Sequence, residues 1–409
     1  MAITLTASVR QNLLSLQDTA SLLSTTQGRL ATGKKVNSAL DNPTNFFTAA
    51  GLDARASDIN NLLDSIGNGV QVLQAANTGI TSLQKLVDTA KSIANQALQQ
   101  PGGYSTKASL LTDAPATGVA GTATDLTAGG TNALQGKTLV FKTSATATTT
   151  LTLSNVAGAG NVNSIDAINT ALSTAGVQLT ASVGATGAIT FTSTNDAASQ
   201  TITKTGTYAA PGAGSSSSVD ISGTVGTTAA VTAAVADVNS QNTRAGLVAQ
   251  YNQIIQQITT TAQDASFNGI NLLNGDSLKL VFNETGKSTS TIAGVTFDPN
   301  GLGLAAATVG TDFIDNVATN KTLTALNTAS VTLRSQASAF GANLSIVQVR
   351  QDFNKNLINV LQTGSSNLTL ADANEEAANS QALSTRQSIA VSALALANQS
   401  NQSVLQLLR

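Results

Sequence analysis

The sequence predicts a mainly α protein: long antiparallel coiled-coil helices drawn from both termini, a β-rich domain inserted between them, and a small β-hairpin section. Two observations carry this prediction. Both ends of the 409-residue chain are long, Pro-free and charge-poor, with an apolar residue every three or four positions. Residues 104–236 abandon that period for Thr, Ala, Gly and Ser with short β-type runs.

The N-terminal seam runs Val9, Leu13, Leu16, Ala20, Leu23, Gln27, Leu30. The C-terminal seam runs Leu383, Gln387, Ala390, Leu394, Ala397, Asn401, Val404, Leu408, with Leu405 beside it. A mean spacing of 3.5 residues holds one helix face against a partner helix. Residues 379–409 carry only Arg386 and Arg409 as charges, so a terminal hairpin left bare would aggregate. Burial by neighbouring copies is the expectation.

The first helix spans 4–32 and ends at Gly33-Lys34-Lys35, a glycine with cations beside the helix's negative pole. Asn37 to Asn45 reads as a turn around Asp41-Asn42-Pro43. A second helix is expected from about Asp53 to Gln99, closed by Pro101-Gly102-Gly103. Its seam passes Ile80, Val87 and Ala94 but weakens at Asn77, Gln84 and Lys91, while Leu83, Ala90 and Ala97 form a stripe beside it. Such a pair of stripes predicts a contact face that rotates along the helix.

Within 104–236, the runs at Thr138–Lys142, Thr149–Leu153 and Ala188–Thr192 read as strands, Ser164–Ala175 as one helix, and Pro211–Ser218 as a loop. The insert is therefore all-β or α+β. Helical period returns at Leu247, Tyr251, Ile254 and Ile258 and breaks at Ser266–Ile270. A hairpin is expected around 277–298. A long helix then covers about Lys321–Gln362, with Leu333, Ala337, Phe340, Leu344, Val347, Gln351, Asn354, Ile358 and Leu361 in heptad register, and 366–409 supplies the last helix.

Composition narrows the function. Charged residues are 10%, against roughly 25% in ordinary soluble proteins, and aromatic residues are 3%. Such a surface suits a chain covered by copies of itself. There is no Cys and no His, which removes disulfides, thiolate metal sites, and the commonest general base and zinc ligand. Twenty basic residues scattered among 22 acidic ones give no nucleic-acid footprint. The first 30 residues do not read as a secretory signal, and no run is long and apolar enough for membrane insertion.

Three motifs invite chemistry and fail on physical grounds. Gly286-Lys287-Ser288 resembles the end of a phosphate loop, but Val281 stands where the first glycine is needed. Glu375 and Glu376 point some 100° apart on a helix, and read as a solvated turn. Asp312 and Asp315 are better placed for a loop and a helix start than for a shared cation. No catalytic, cofactor or metal residue is assigned.

Asn12-Leu13-Leu14, Arg29-Leu-Ala-Thr-Gly-Lys-Lys-Val-Asn37, Asp41-Asn42-Pro43, Ser266-Phe-Asn-Gly-Ile-Asn-Leu-Leu273 and the ending Ala397–Arg409 resemble bacterial flagellin, in wording closest to alphaproteobacterial members. The resemblance covers about 1–103 and 237–409. It implies three domains: an inner-tube pair (1–45 with 366–409), a helical rod (46–103 with 237–365), and a variable outer domain (104–236). It also implies a homopolymer, type III export, an export chaperone on the C-terminal segment, and cap and junction partners. Subunit packing would rest on Val9, Leu13, Leu16, Leu23, Leu30, Leu383, Leu394, Val404, Leu405 and Leu408.

Family members that stimulate the vertebrate innate receptor carry an exposed basic and acidic cluster after a Leu-Gln pair. Here Leu83-Gln84-Lys85 is followed by Leu86, Val87 and Asp88, with valine where a second arginine is expected, so weak activation is predicted. Alternatives are a hook–filament junction protein and a filament-displayed adhesin, although only Tyr104 and Tyr208 could serve the insert as a sugar platform.

Overall fold

A computed structural model describes residues 7–114, 123–127, 134–227 and 230–407. The principal helices are α1 (Ala7–Thr32), α2 (Pro43–Gln99), α4 (Val238–Asp264), α5 (Asn316–Thr369) and α6 (Ala373–Leu407). The chain divides into two compact units. The first comprises Met1–Val70, Lys279–Thr291 and Ser345–Arg409, and the second Gln71–Leu278 and Ile292–Leu344.

In the first unit, α1 and α6 pack against each other. Arg29, near the end of α1, pairs with Glu376 in the first turn of α6, so the two helices run antiparallel. Gly33 ends α1 with φ +67°, a conformation that suits glycine. The chain beyond it is bridged to the end of α5, where Lys35 N–H donates to the Thr369 carbonyl at 2.7 Å. The start of α2 lies against the end of α5 through buried Ala56, Ile59, Ile358 and Leu361. A Cβ on Gly69 would overlap the Leu280 side chain, which marks a close approach of α2 to the hairpin. Two strands, β12 (Ser277–Val281) and β13 (Thr289–Ala293), form that hairpin.

Helix α2 begins at Pro43, ten residues before the expected start at Asp53. Asn42 caps it by accepting the Asn45 N–H at 3.0 Å, and proline at the first helical position loses no hydrogen bond. The Asp-Asn-Pro signature is thus both a turn and a helix entry. Helix α5 likewise extends to Asn316–Thr369, beyond the expected 321–362. Its predicted seam is buried or half-buried throughout.

In the second unit, α2 buries Leu73, Ala76, Ile80, Leu83, Val87, Ala90, Ala94 and Ala97, none more than 1% exposed. The buried line takes residues from both expected stripes, Ile80, Val87 and Ala94 from one and Leu83, Ala90 and Ala97 from the other. Alanines on it let neighbouring helices approach closely, and a Cβ on Gly79 would overlap Ala265 and Leu273.

The insert is α+β. Strands β3 (Thr138–Lys142), β4 (Thr148–Leu153), β5 (Asn161–Val162), β8 (Thr201–Thr203) and β9 (Ser218–Gly223) make a mixed sheet in the order β5-β4-β3-β9-β8. Strands β2 (Ser109–Leu111), β6 (Leu179–Val183), β7 (Ile189–Ser193) and β10 (Val231–Thr232) make an antiparallel sheet in the order β10-β2-β7-β6. One core serves both: Phe141 of the first sheet meets Phe191 of the second edge-on at 5.2 Å. Helix α3 (Ile165–Thr174), capped by Ser164, adds Ile165, Ile168 and Leu172 to that core. Strands β1 (Tyr104–Thr106) and β11 (Val235–Ala236) pair where the chain enters and leaves the insert.

Candidate functional site: the terminal helix pair

The α1–α6 pair begins at a defined joint. Asp372 accepts N–H bonds from Asn374 at 2.9 Å and Glu375 at 3.3 Å, capping α6. Glu375 and Glu376 then sit at the positive end of the helix dipole. Glu376 is 8% exposed and accepts from Arg29 Nη1 at 3.3 Å, so only Glu375 is the solvated residue expected of both.

Along α6, the half-buried line is Leu383, Gln387, Ala390, Leu394, Ala397, the predicted seam. Val404 and Leu405 lie in α6 with side chains outside the description, and Leu408 lies outside the described residues. Along α1, Val9 is buried and Leu16, Ala20 and Leu23 are half-buried. Thr26, at 7% exposed, takes the inward place expected for Gln27, and Leu13 and Leu30 face outward in the single chain. A straight helix advances by 3.6 residues per turn, so a strict heptad drifts off one partner.

Two helices can cover only one stripe on each other. The remainder of this pair is unusually apolar: Leu14, Leu22, Ile389, Val391 and Leu396 are 52–68% exposed. From Ala377 to Leu407 the single charge is Arg386. The exposed hydroxyls fold back onto their own helices, Thr19 donating to the Ser15 carbonyl at 2.8 Å and Ser392 to Ser388 at 3.0 Å. The result is a charge-poor face on which several hydroxyls already have a partner within their own helix.

The other candidate motifs serve turns and caps. Gly286 N–H donates to Asn283, whose side chain accepts the Ser288 N–H at 2.9 Å, so the amides a phosphate would need close the hairpin turn. Asp312 accepts the Thr308 N–H at 2.8 Å. Asp315 caps α5 through the Ala318 N–H at 3.0 Å. It also accepts from the Ser199 N–H and hydroxyl and from the Ser216 hydroxyl, which ties the insert to the start of α5. No group of three or more potential ligands is placed to hold a metal among the described residues. Val87 is fully buried, while Lys85 and Asp88 are exposed.

Sequence reasoning missed Arg244, which is 1% exposed. Its guanidinium donates to the carbonyls of Gln100, Pro101 and Phe313 and to Asn316 Oδ1. Burial lowers its pKa, opposed by the Asp315 and Tyr104 charges. The available signal was its isolation: between Asp237 and Asp264 it is the only charged residue.

Comparison with known proteins agrees with this arrangement. Residues 4–115 match the bacterial flagellin N-terminal helical region, and residues 323–408 the bacterial flagellin C-terminal helical region. Flagellin FljM of Caulobacter vibrioides is 33% identical over 165 residues, which are 40% of this chain and 59% of that protein. A flagellin of Brucella melitensis is 29% identical over 170 residues, 39% of this chain and 60% of that protein. Flagellin A of Rhizobium meliloti is 36% identical over 77 residues, 19% of this chain and 20% of that protein. The first relatives are thus matched over about three fifths of their length. The two matched helical regions lie at opposite ends of the chain and in the order they take in bacterial flagellins, so the chain is similar to that family at both ends.

Proposed function

We propose that this protein is the structural subunit that polymerises into the flagellar filament used for swimming. The observation that carries this is the outward apolar face of the α1–α6 pair, with its near absence of charge. Such a face is stable in water only when other helices cover it. The ten seam residues predicted for subunit packing act here, with Leu13 and Leu30 meeting other copies rather than α6. The terminal pair (1–45 with 366–409) forms the inner tube, 46–103 with 237–365 the rod, and 104–236 the outer domain.

The flagellin family is structural, and this chain is read as a non-enzyme. It leaves the cell through the flagellar export apparatus, held by a chaperone before export and meeting cap and junction proteins at the growing filament. No helix among the described residues is long and apolar enough to cross a membrane. Burial of Val87 supports weak innate-receptor activation, because no second basic side chain stands exposed at that place.

Electron microscopy of depolymerised protein after adding filament seeds or a precipitating salt tests the reading. Long uniform tubes with a central channel are expected. Persistent monomers would overturn it in favour of a junction role.

A further inference from the structure

The antiparallel sheet of the insert ends on β6 (Leu179–Val183), which pairs with β7 along one side only. A strand with a free side offers unpaired N–H and C=O groups to any second strand that can lie along it. The other edges of the insert's two sheets are β10, β5 and β8, of two, two and three residues. At five residues, β6 is the longest of the four. Its sequence, Leu-Thr-Ala-Ser-Val, holds no proline, and no charged residue stands between Asp166 and Asp196. Charge and proline, the ordinary deterrents to edge pairing, are therefore missing from this strand and from β7 beside it.

One side chain stands in for the missing neighbour. Asn169 of α3 accepts the Ala181 N–H through Oδ1 at 2.6 Å and donates from Nδ2 to the Ala181 carbonyl at 3.1 Å. Both outward groups of the strand's central residue are thus taken by one amide, in the donor and acceptor pattern that a second strand would present. Outward groups recur at every second residue, so Leu179 and Val183 are the other two positions. Leu179 N–H donates back to the Val177 carbonyl at 2.8 Å. Only Val183, at the end of the strand, is left, and a single residue makes no ladder. Asn169 is held in place by its helix: Ser164 caps α3 by accepting the Ala167 N–H at 3.2 Å, and Ile168 and Leu172 are fully buried.

We propose that Asn169 closes the β6 edge against β6 of a second copy. Two such strands, antiparallel about a twofold axis, would match group for group, because an isologous contact presents the same residues on both sides. In a polymer the inserts of neighbouring copies are held together at an effective concentration far above that of the free chain. An open edge there would join insert to insert. The closed edge lets each insert project without pairing with its neighbours. The consequence in the polymer rests on the filament reading, whereas closure of the edge belongs to the single chain.

Asn169→Ala opens the edge. The full chain, kept unpolymerised by omitting seeds and precipitant, is followed by analytical ultracentrifugation over a concentration series. The parent is expected to stay at 41.1 kDa and the variant to shift towards twice that mass. Amide exchange at Ala181 should be faster in the dilute variant than in the parent, and slow again as the variant associates. Asn169→Asp keeps an acceptor for the Ala181 N–H and adds a charge to the edge, so it should remain monomeric. A double variant, Asn169→Ala with Thr180→Lys, suffers the same loss at 169 but carries a charge at the exposed position 180, and it should also stay single. Association of both the single and the double variant would point to a misfolded insert and overturn the proposal. An Asn169→Ala chain that stays monomeric at every concentration would overturn it as well. Seeded filaments of Asn169→Ala are expected to lie in side-by-side bundles where the parent gives separate tubes. If the parent does not polymerise, the filament reading fails while the ultracentrifuge result still decides the edge.

Discussion

Arg244 donates to the carbonyl oxygen of Phe313 at 2.7 Å from a side chain only 1% exposed. The same guanidinium takes the carbonyls of Gln100 and Pro101, just past the end of α2. A cation there meets the negative pole of α2 and supplies donors to carbonyls that have no helical partner. Arg244→Met is expected to destabilise the second unit by about 3 kcal/mol, because buried acceptors lose charged donors. Arg244→Lys should recover only part, since a point charge cannot reach several carbonyls in one plane. Urea titration followed by circular dichroism measures both. Equal stability of Arg244→Met and the parent would refute the role.

Tyr251 gives the second unit an alkaline limit. Burial pushes its phenol up to about 12, with the Asp312 charge adding to the effect. The unfolded chain therefore releases the proton first, and stability falls as pH rises from 10 towards 12. The whole effect is about 3 kcal/mol. Tyr104 is shifted the same way and adds to the slope. Tyr251→Phe should flatten the decline in an alkaline stability series, and an unchanged slope would count against it.

The turn from Asn37 to Asn45 should loosen in acid. Hydrogen bonds from the Ser38 and Asn37 backbone hold the Asp41 carboxyl below its usual value of 3.8. A lowered folded-state pKa means the stabilisation is present above 3.8 and lost as pH falls through the folded value. Protection of the Asn37 and Ser38 amides, measured against their intrinsic exchange rate at each pH, should therefore fall as pH drops below 3.8. In Asp41→Asn that protection should be low already and should not change across that range.

Leu394→Asp places a charge in the half-buried line of α6. Polymerisation should be lost while the helices and insert between 46 and 362 keep their circular dichroism and protease resistance. Normal filaments from this variant would argue against assembly through the terminal pair.

Replacing 110–230 by a short flexible linker should leave polymerisation intact. The β1–β11 pairing of Tyr104 with Ala236 remains to close the neck, and the core built around Phe141 and Phe191 leaves as a whole. Seeded growth by electron microscopy is the check; monomers that cannot extend a seed would make the insert part of the assembly machinery.

The legible parts of this chain are those where one helix face repeats for many turns. The α6 seam from Leu383 to Ala397 and the α5 seam from Leu333 to Leu361 could be read because each keeps alternating steps of three and four for several turns, even with apolar neighbours such as Ile389, Val391, Ile346 and Val360 beside it. Helix α1 was harder: leucines at 13, 14, 16, 22, 23 and 30 populate two faces, so more than one line satisfies the spacing. In the insert, Thr138–Lys142 read correctly as a strand. Strands of two or three residues such as β5, β8, β10 and β11 did not, because they exist only through partners distant in sequence. Arg244 stood out only by its isolation as a charge, and its partners could not be read, since every group it binds belongs to another element.

The hydroxyls of the terminal helices bear on how reversibly the chain can associate. Ordinary polar faces must shed water and find new partners when they are covered, and mismatches there make association slow to correct. Where Thr and Ser already bond to the turn behind them, those hydroxyls need no new acceptor when the face is covered. Copies can then test and leave neighbouring positions without a large penalty for each error. On the filament reading, register would then be decided by the fit of leucine, valine and alanine shapes, and a misplaced copy would dissociate and try again.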